Sequence, residues 1–487
     1  MTEQSVRVAG APDRLSGSLG VPSIVFMVVA AAAPLTVIAG VVPVGLIIGN
    51  GVGFPSMFAL AAVILIFFAV GFTAMTRSVP KPGAFFTYIA HGLGRPSGLA
   101  GAYLALLCYM AVEVAVFGYI GVTIRDGIDR IGGPVLPWWL YAFAVVALVG
   151  TLGYRHIELS SKVLAVLLVL EISIVLLLSL IIVVKGGGDG LSLAPFSPHN
   201  VSSGSPAIGL MFAIAGFIGF EATAIFRDEA RDPNRTIPRA TYAAVLLIGV
   251  FYAISSWAIV MAVGTKNVVA EASKNPTGFV IQIARDNLGV VGEVAINIFL
   301  ITSIFAAALS FHNVIARYVH TLSGSGLLPS PLAGVHGKHN APSNASLATS
   351  AVAATLLFLG LVLGLDPYAK IFTWFVGLAS LAIIILMAVT SLAVIVYFKR
   401  VGGAPVWNAL VAPGIGLIGL LYAAVITTKN FPLLVGDVDA KGTPVLGSVA
   451  LGLLALVVVV VIIGYVQALF LRSRGSTSYD RIVEALT

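Results

Sequence analysis

An all-α integral membrane protein with twelve transmembrane helices is the fold class this sequence predicts, and three observations predict it. Of the 487 residues, 59% are apolar and only 10% are charged, against about 45–50% and 25% in ordinary soluble domains. Charge is missing over whole helix lengths: no Asp, Glu, Lys or Arg falls between Arg14 and Arg77, Lys338 and Asp366, Lys370 and Lys399, or Arg400 and Lys429. Each gap holds an apolar run of about 18 residues or more, the length that crosses ~30 Å of hydrocarbon. The runs are unbroken, where a transmembrane β-barrel would alternate every second residue. These features exclude a soluble multidomain enzyme, a nucleic-acid binder and a disordered scaffold.

Hydropathy, punctuated by Gly, Pro and charge, places the spans at 20–48, 54–75, 97–124, 136–153, 160–184, 206–226, 238–264, 289–316, 345–364, 369–397, 405–428 and 444–471. The polar residues 1–18 form a tail, and the apolar stretch after them is too long for a cleavable signal peptide. Between spans two and three, Pro80, Pro82 and Pro96 punctuate a partly apolar stretch that reads as a short membrane-surface helix. The connections 185–205, 265–288 and 317–344 are loop-sized, so function must live inside the bundle. Cys108 is the only cysteine, which excludes an intramolecular disulfide and cysteine-based metal centres; it reads as a small buried residue.

Orientation follows from the positive-inside rule. With the N terminus inside, 18 of the 27 Lys and Arg fall on interior segments. Both termini are then cytoplasmic, the protein is multi-pass in the plasma membrane, and the basic balance is a topology device rather than the mark of a nucleic-acid partner.

Two spans carry breaks. Span one reads Ala30-Ala31-Ala32-Ala33-Pro34-Leu35-Thr36, and Pro34 both lacks the N–H and clashes with the preceding turn. Span six reads Ala213-Ile214-Ala215-Gly216-Phe217-Ile218-Gly219-Phe220-Glu221, two glycines three apart beside an intramembrane carboxylate. Broken backbone at membrane depth is tolerated only where it is buried or lines a cavity. The two breaks lie five spans apart on helices of opposite direction, as an inverted repeat of five plus five would produce. The chain then divides into a tail at 1–18, a first repeat at 19–190, a second at 191–400, two further spans at 401–471 and a tail at 472–487. Half-helix N termini favour an anion and freed carbonyls favour an ammonium, which suits a zwitterion.

The segment from Phe217-Ile218-Gly219-Phe220-Glu221-Ala222 through Asp228-Glu229-Ala230-Arg231-Asp232-Pro233-Asn234-Arg235-Thr236-Ile237-Pro238-Arg239 resembles the sixth-helix pattern of amino acid–polyamine–organocation (APC) permeases. Pro82-Gly83-Ala84-Phe85-Phe86-Thr87-Tyr88, and Arg317 through Gly326-Leu327-Leu328-Pro329 with His336 and Pro342, resemble two further stretches of that family. The resemblance covers roughly residues 18–400 and implies the LeuT-type five-plus-five fold with helices one and six discontinuous. It implies a secondary transporter of an amino acid or related organic amine, with uptake and exchange both open. The family's Gly-rich element in the first break falls on Pro34-Leu35-Thr36, where Leu35 and Thr36 keep N–H groups and Pro34 does not. Ser325 stands where the family usually has an acid.

The substrate is expected between the two breaks. Its polar end would lie toward Leu35 and Thr36, its amine toward Ala215, Gly216 and Ile218. Ala32, Ala33 and Ala215 leave volume, and Phe217 and Phe220 are placed to close over it. A carboxylate in hydrocarbon needs a partner, water or a proton. Glu171 in span five, near the cation site of the fold by resemblance, and Glu221 are the proton-coupling candidates. Glu113 in span three is a third coupling candidate, an acid that would face an amine. Glu293 is expected to reach interfacial water, and His312 to sit at the cytoplasmic interface. A sodium site would draw on Thr302, Ser303 and Ser310 and is the weaker reading; no other cofactor or metal is implied. No HExxH, P-loop, GxSxG or CxxC pattern is present, so an enzyme is not expected. The expected partners are the small-molecule substrate and the lipid bilayer, and nothing in the sequence sets an oligomeric state. In the loop after span six, Asp228, Glu229, Arg231, Asp232, Arg235 and Arg239 crowd together within reach of exchanging salt bridges.

Overall fold

The structure, a computed structural model, describes residues 19–79, 85–155, 161–335, 341–440 and 442–485. The N-terminal tail, the Pro80–Ala84 part of the proline-rich motif, His336 and the Asp228 side chain lie outside the described residues. No strand occurs among those residues, and only two isolated β-bridges do.

The long helices are α1 (Val21–Ile48, interrupted), α2 (Phe54–Ser78), α3 (Arg95–Arg130), α4 (Trp138–Tyr154), α5 (Ser161–Lys185), α6 (Pro206–Ala215), α7 (Pro233–Val263), α8 (Phe279–Gly324), α9 (Ser343–Val362), α10 (Pro367–Val401), α11 (Trp407–Val435) and α12 (Ser448–Ser473). Eleven described segments are long and apolar enough to cross a membrane, and α4 is an apolar helix of 17 residues. The chain is a multi-pass membrane protein.

Three departures from the sequence expectation bear on how the helices pack. α7 begins at Pro233 rather than at residue 238, with Pro238 inside it. Pro238 has no N–H for the carbonyl four residues back, but Arg77 Nε at the end of α2 donates to that Asn234 oxygen at 3.0 Å. The proline therefore costs the helix no orphaned acceptor and does not end it. α8 runs through residue 279, and its break at Gly289 (φ 71, ψ −167) separates an outer arm from the expected span. The stretch before α3 is a helix, Phe85–Leu93, whose residues Phe85 to Ala90 are all buried. It is not a surface helix: a Cβ on Gly92 would lie 2.2 Å from the Ala393 carbonyl of α10, so backbone meets backbone there.

Candidate functional site

Ala33 is the only non-glycine residue with positive φ (47°) among those described, and Pro34 follows it. A residue before proline is disfavoured in the right-handed α region, and a left-handed alanine costs roughly 1 kcal/mol. α1 therefore stops at Ala31 and restarts at Pro34, passing through a π-helical turn at Val37–Val41. α6 stops at Ala215. Short bonds then tighten the chain: Gly216 N–H to Ala213 at 3.1 Å, Phe217 to Ile214 at 3.0 Å and Ile218 to Ala215 at 3.1 Å. Gly219 turns it with φ 109, a value that needs glycine, and a 3-10 run, Phe220–Glu229, follows.

Side chains from four other helices hold these breaks. Glu221, 2% exposed, accepts from the Gly219 N–H at 2.9 Å and from the Tyr109 hydroxyl of α3 at 2.8 Å. Tyr252 of α7 donates to the Ala32 carbonyl at 3.4 Å. The Thr36 hydroxyl donates to Ser303 Oγ of α8 at 3.1 Å. Glu171 of α5, 4% exposed, lies against the Ser303 hydroxyl and the Leu35 N–H. A polar chain thus runs from Thr36 through Ser303 to Glu171, immediately behind the first break.

Between the breaks is a cavity of about 50 Å³. Ala32, Ala33 and Thr36 form one wall and Ala215 and Ile218 face them; α3, α8 and α10 supply Val112, Val116, Ala307, Phe311, Phe372 and Val376. Thr36 brings the only polar side chain. Contacts join the flanking segments at both ends. On the side of the N terminus, Leu19 N–H donates to Glu229 at 2.9 Å and Arg231 N–H to Leu19 at 3.0 Å, joining the start of α1 to the segment after the second break. On the opposite side, the Tyr368 hydroxyl donates to the Gly40 carbonyl at 2.7 Å, and the Tyr119 and Phe372 rings lie 4.8 Å apart. A larger cleft of about 590 Å³ opens sideways between α1, α5 and α7 and is lined almost wholly by aliphatic groups and Phe.

Of the residues singled out by sequence, Ala32, Ala33, Thr36, Ala215 and Ile218 share the cavity wall. Leu35, Gly216, Phe217 and Phe220 do not line it. Leu35 turns its N–H to Glu171. Gly216 is where the breaks touch: a Cβ there would lie 3.1 Å from both Val37 and Tyr252. Phe220 packs edge-on to Phe68 with ring centroids 6.0 Å apart, and Phe217 similarly to Tyr252 at 6.3 Å; both rings face the scaffold.

Glu113 is also off the cavity wall. Its Oε1 lies 2.7 Å from His312 Nδ1, and His312 Nε2 lies 2.9 Å from Ser346 Oγ. His312 is 1% exposed, so it is buried between α3 and α9, not interfacial. The three groups stand in the carboxylate–imidazole–hydroxyl order of acyl-transfer triads, yet none lines a described cavity, and the cluster serves as a tie between three helices. Glu293 likewise does not face open water: it is 8% exposed and sits between Arg285 (3.2 Å) and Arg130 (3.9 Å). Among the described residues of the crowded loop after α6, Arg235 pairs with Asp232 at 3.7 Å in an exposed contact, while Arg227 bonds the Thr76 carbonyl at the end of α2. Sequence reasoning missed Tyr109 and Tyr252, which bind the breaks; polar tips on otherwise apolar helices were the available signal.

The family model for amino acid permeases matches residues 19–462. A branched-chain amino acid permease of Bacillus subtilis (strain 168) is 27% identical over 404 residues, covering 77% of this chain and 82% of the relative. An L-asparagine permease of Salmonella typhimurium is 26% identical over 371 residues, 71% of each chain. A low-affinity putrescine importer of Escherichia coli (strain K12) is 21% identical over 315 residues, 63% of this chain and 68% of the relative. With broken helices facing each other across a cavity and a family match over most of its length, the chain belongs to the amino acid permeases of the APC superfamily.

Proposed function

We propose that this permease is a secondary transporter that carries an amino acid with a short aliphatic side chain across the plasma membrane by alternating access, in symport with protons. One observation carries the substrate class: apart from the Thr36 hydroxyl, the cavity between the breaks is walled by Ala, Val, Ile and Phe. A substrate side chain enclosed there gains only apolar contact. No carboxylate lines that wall to receive a second ammonium, so the reading favours the branched-chain permease among the relatives over the putrescine importer. The α-carboxylate would meet the first break near Thr36 and the amine the carbonyl side of α6 near Ala215.

In this proposal the chain crosses twelve times, α4 included, which leaves both termini cytoplasmic, and α1–α5 and α6–α10 form the LeuT-type inverted repeat. Glu171 is the proton carrier. Its contacts with Ser303 and the Leu35 N–H place a titratable group one hydroxyl away from Thr36, so a change of its protonation state alters how the first break is held. Glu221, fixed by two donors, is a structural cap on the second break.

Purified protein in liposomes, supplied with radiolabelled valine, leucine, asparagine and putrescine under imposed pH or sodium gradients, tests this reading. The proposal expects concentrative uptake of the aliphatic amino acids under an inward proton gradient. Uptake of putrescine alone, or uptake driven by sodium at constant pH, contradicts it.

A further inference from the structure

A second cavity, of about 420 Å³, lies between the end of α3 and the start of the α8 span, on the face opposite the N terminus. It is built in two tiers. The outer tier holds Arg130 and Arg285 around Glu293, with N–O distances of 3.9 and 3.2 Å. Two guanidiniums against one carboxylate leave an excess positive charge. Arg130 and Arg285 side chains stay 22% and 54% exposed, so both keep donors to offer. The nearby Asp126 is held by Arg125 at 2.6 Å, and the exposed Asp129 and Asp286 are not among the lining residues.

The inner tier is aliphatic and open sideways. Val290, Val294 and Ile298 are 62%, 40% and 52% exposed; spaced four apart, they form a stripe down one face of α8 that Ile301 continues. From Val290 to Ile301 the helix descends about 16 Å, close to the length of a lipid acyl chain. One turn below Glu293, the Asn297 amide packs against Gly127, where a Cβ would lie 2.3 Å from its nitrogen.

From this arrangement we infer that the α3–α8 groove binds one anionic phospholipid, its phosphate at Arg130 and Arg285 and one acyl chain along Val290, Val294 and Ile298. An arginine fork suits phosphate oxygens. A choline head group would bring a cation to a site already in cationic excess. A free phosphate would use the outer tier only. The inference is independent of the substrate and of the coupling ion.

The full-length protein, in a mild detergent, is titrated with phosphatidylglycerol, phosphatidylcholine and inorganic phosphate, and bound lipid is counted by native mass spectrometry. The expected result is one phosphatidylglycerol retained with several-fold higher occupancy than phosphatidylcholine and not displaced by inorganic phosphate. The charge-neutralised triple variant Arg130→Gln/Arg285→Gln/Glu293→Gln should lower that occupancy to the phosphatidylcholine level. Val294→Trp, which fills the groove and keeps the arginines, should lower it as well and remains informative if the triple variant does not fold. Equal occupancy of the two lipids in the wild type, full retention by either variant, or displacement by inorganic phosphate would overturn the inference.

Discussion

The Tyr109 hydroxyl donates to Glu221 Oε1 at 2.8 Å, joining α3 to the break of α6 across 112 residues of sequence. Both groups are buried, and the second Glu221 oxygen is engaged by the Gly219 N–H. The carboxyl therefore caps the turn that ends α6, and Tyr109 fixes where that cap stands. Replacing Tyr109 by Phe removes the donor and leaves a buried acceptor unpaired, a loss of about 1–3 kcal/mol. The unfolding midpoint of purified Tyr109→Phe should fall accordingly; an unchanged midpoint would show that the bond contributes nothing.

Gly216 is the point of closest approach between the breaks, since any Cβ there meets Val37 and Tyr252 at 3.1 Å. Gly216→Leu should force the two segments apart and raise the substrate dissociation constant at least tenfold, about 1.4 kcal/mol. Equilibrium binding of radiolabelled substrate reads this directly, and wild-type affinity would remove the cavity between the breaks as the substrate site.

Glu113 and His312 tie α3 to α8 and stand off the cavity wall. His312→Ala leaves a fully buried carboxyl without its partner, a loss of about 3–5 kcal/mol. Chemical unfolding in detergent should show it, while the KM of whatever protein survives stays close to wild type. A large KM change with unaltered stability would return Glu113 to the binding site.

At the N-terminal face two arginines play different parts. Arg77 supplies the donor that Pro238 cannot, at the Asn234 carbonyl, whereas Arg235 forms one exposed pair with Asp232, worth about 0–1 kcal/mol. Arg77→Ala should slow transport severalfold with KM little changed, and Arg235→Ala should be near silent. Initial-rate kinetics in proteoliposomes distinguish them, and the reverse order would refute the assignment.

The two breaks were readable because their causes are local. Pro34 forces Ala33 out of the α region, and Gly216 and Gly219 permit the turn at the end of α6. The cavity wall was readable for the same reason at Ala32, Ala33, Thr36, Ala215 and Ile218, which sit on the break-forming segments themselves. Orientation across the bundle was not readable. Glu113 and His312 are 199 residues apart, and no spacing rule tells which face of α3 turns toward α8. Phe217 and Phe220 flank the turn in sequence, yet the turn points both rings away from the cavity. Pro238 reads as a helix boundary until the guanidinium of a distant helix meets the carbonyl that the proline leaves free.

In the proposed mechanism Glu171 carries the coupling proton behind the first break. Glu171→Gln keeps the shape and an acceptor oxygen beside Ser303 and the Leu35 N–H but cannot exchange a proton. In proteoliposomes, this variant should retain substrate counterflow at constant pH and lose accumulation under an inward proton gradient. Full concentrative uptake by Glu171→Gln under that gradient would contradict the account.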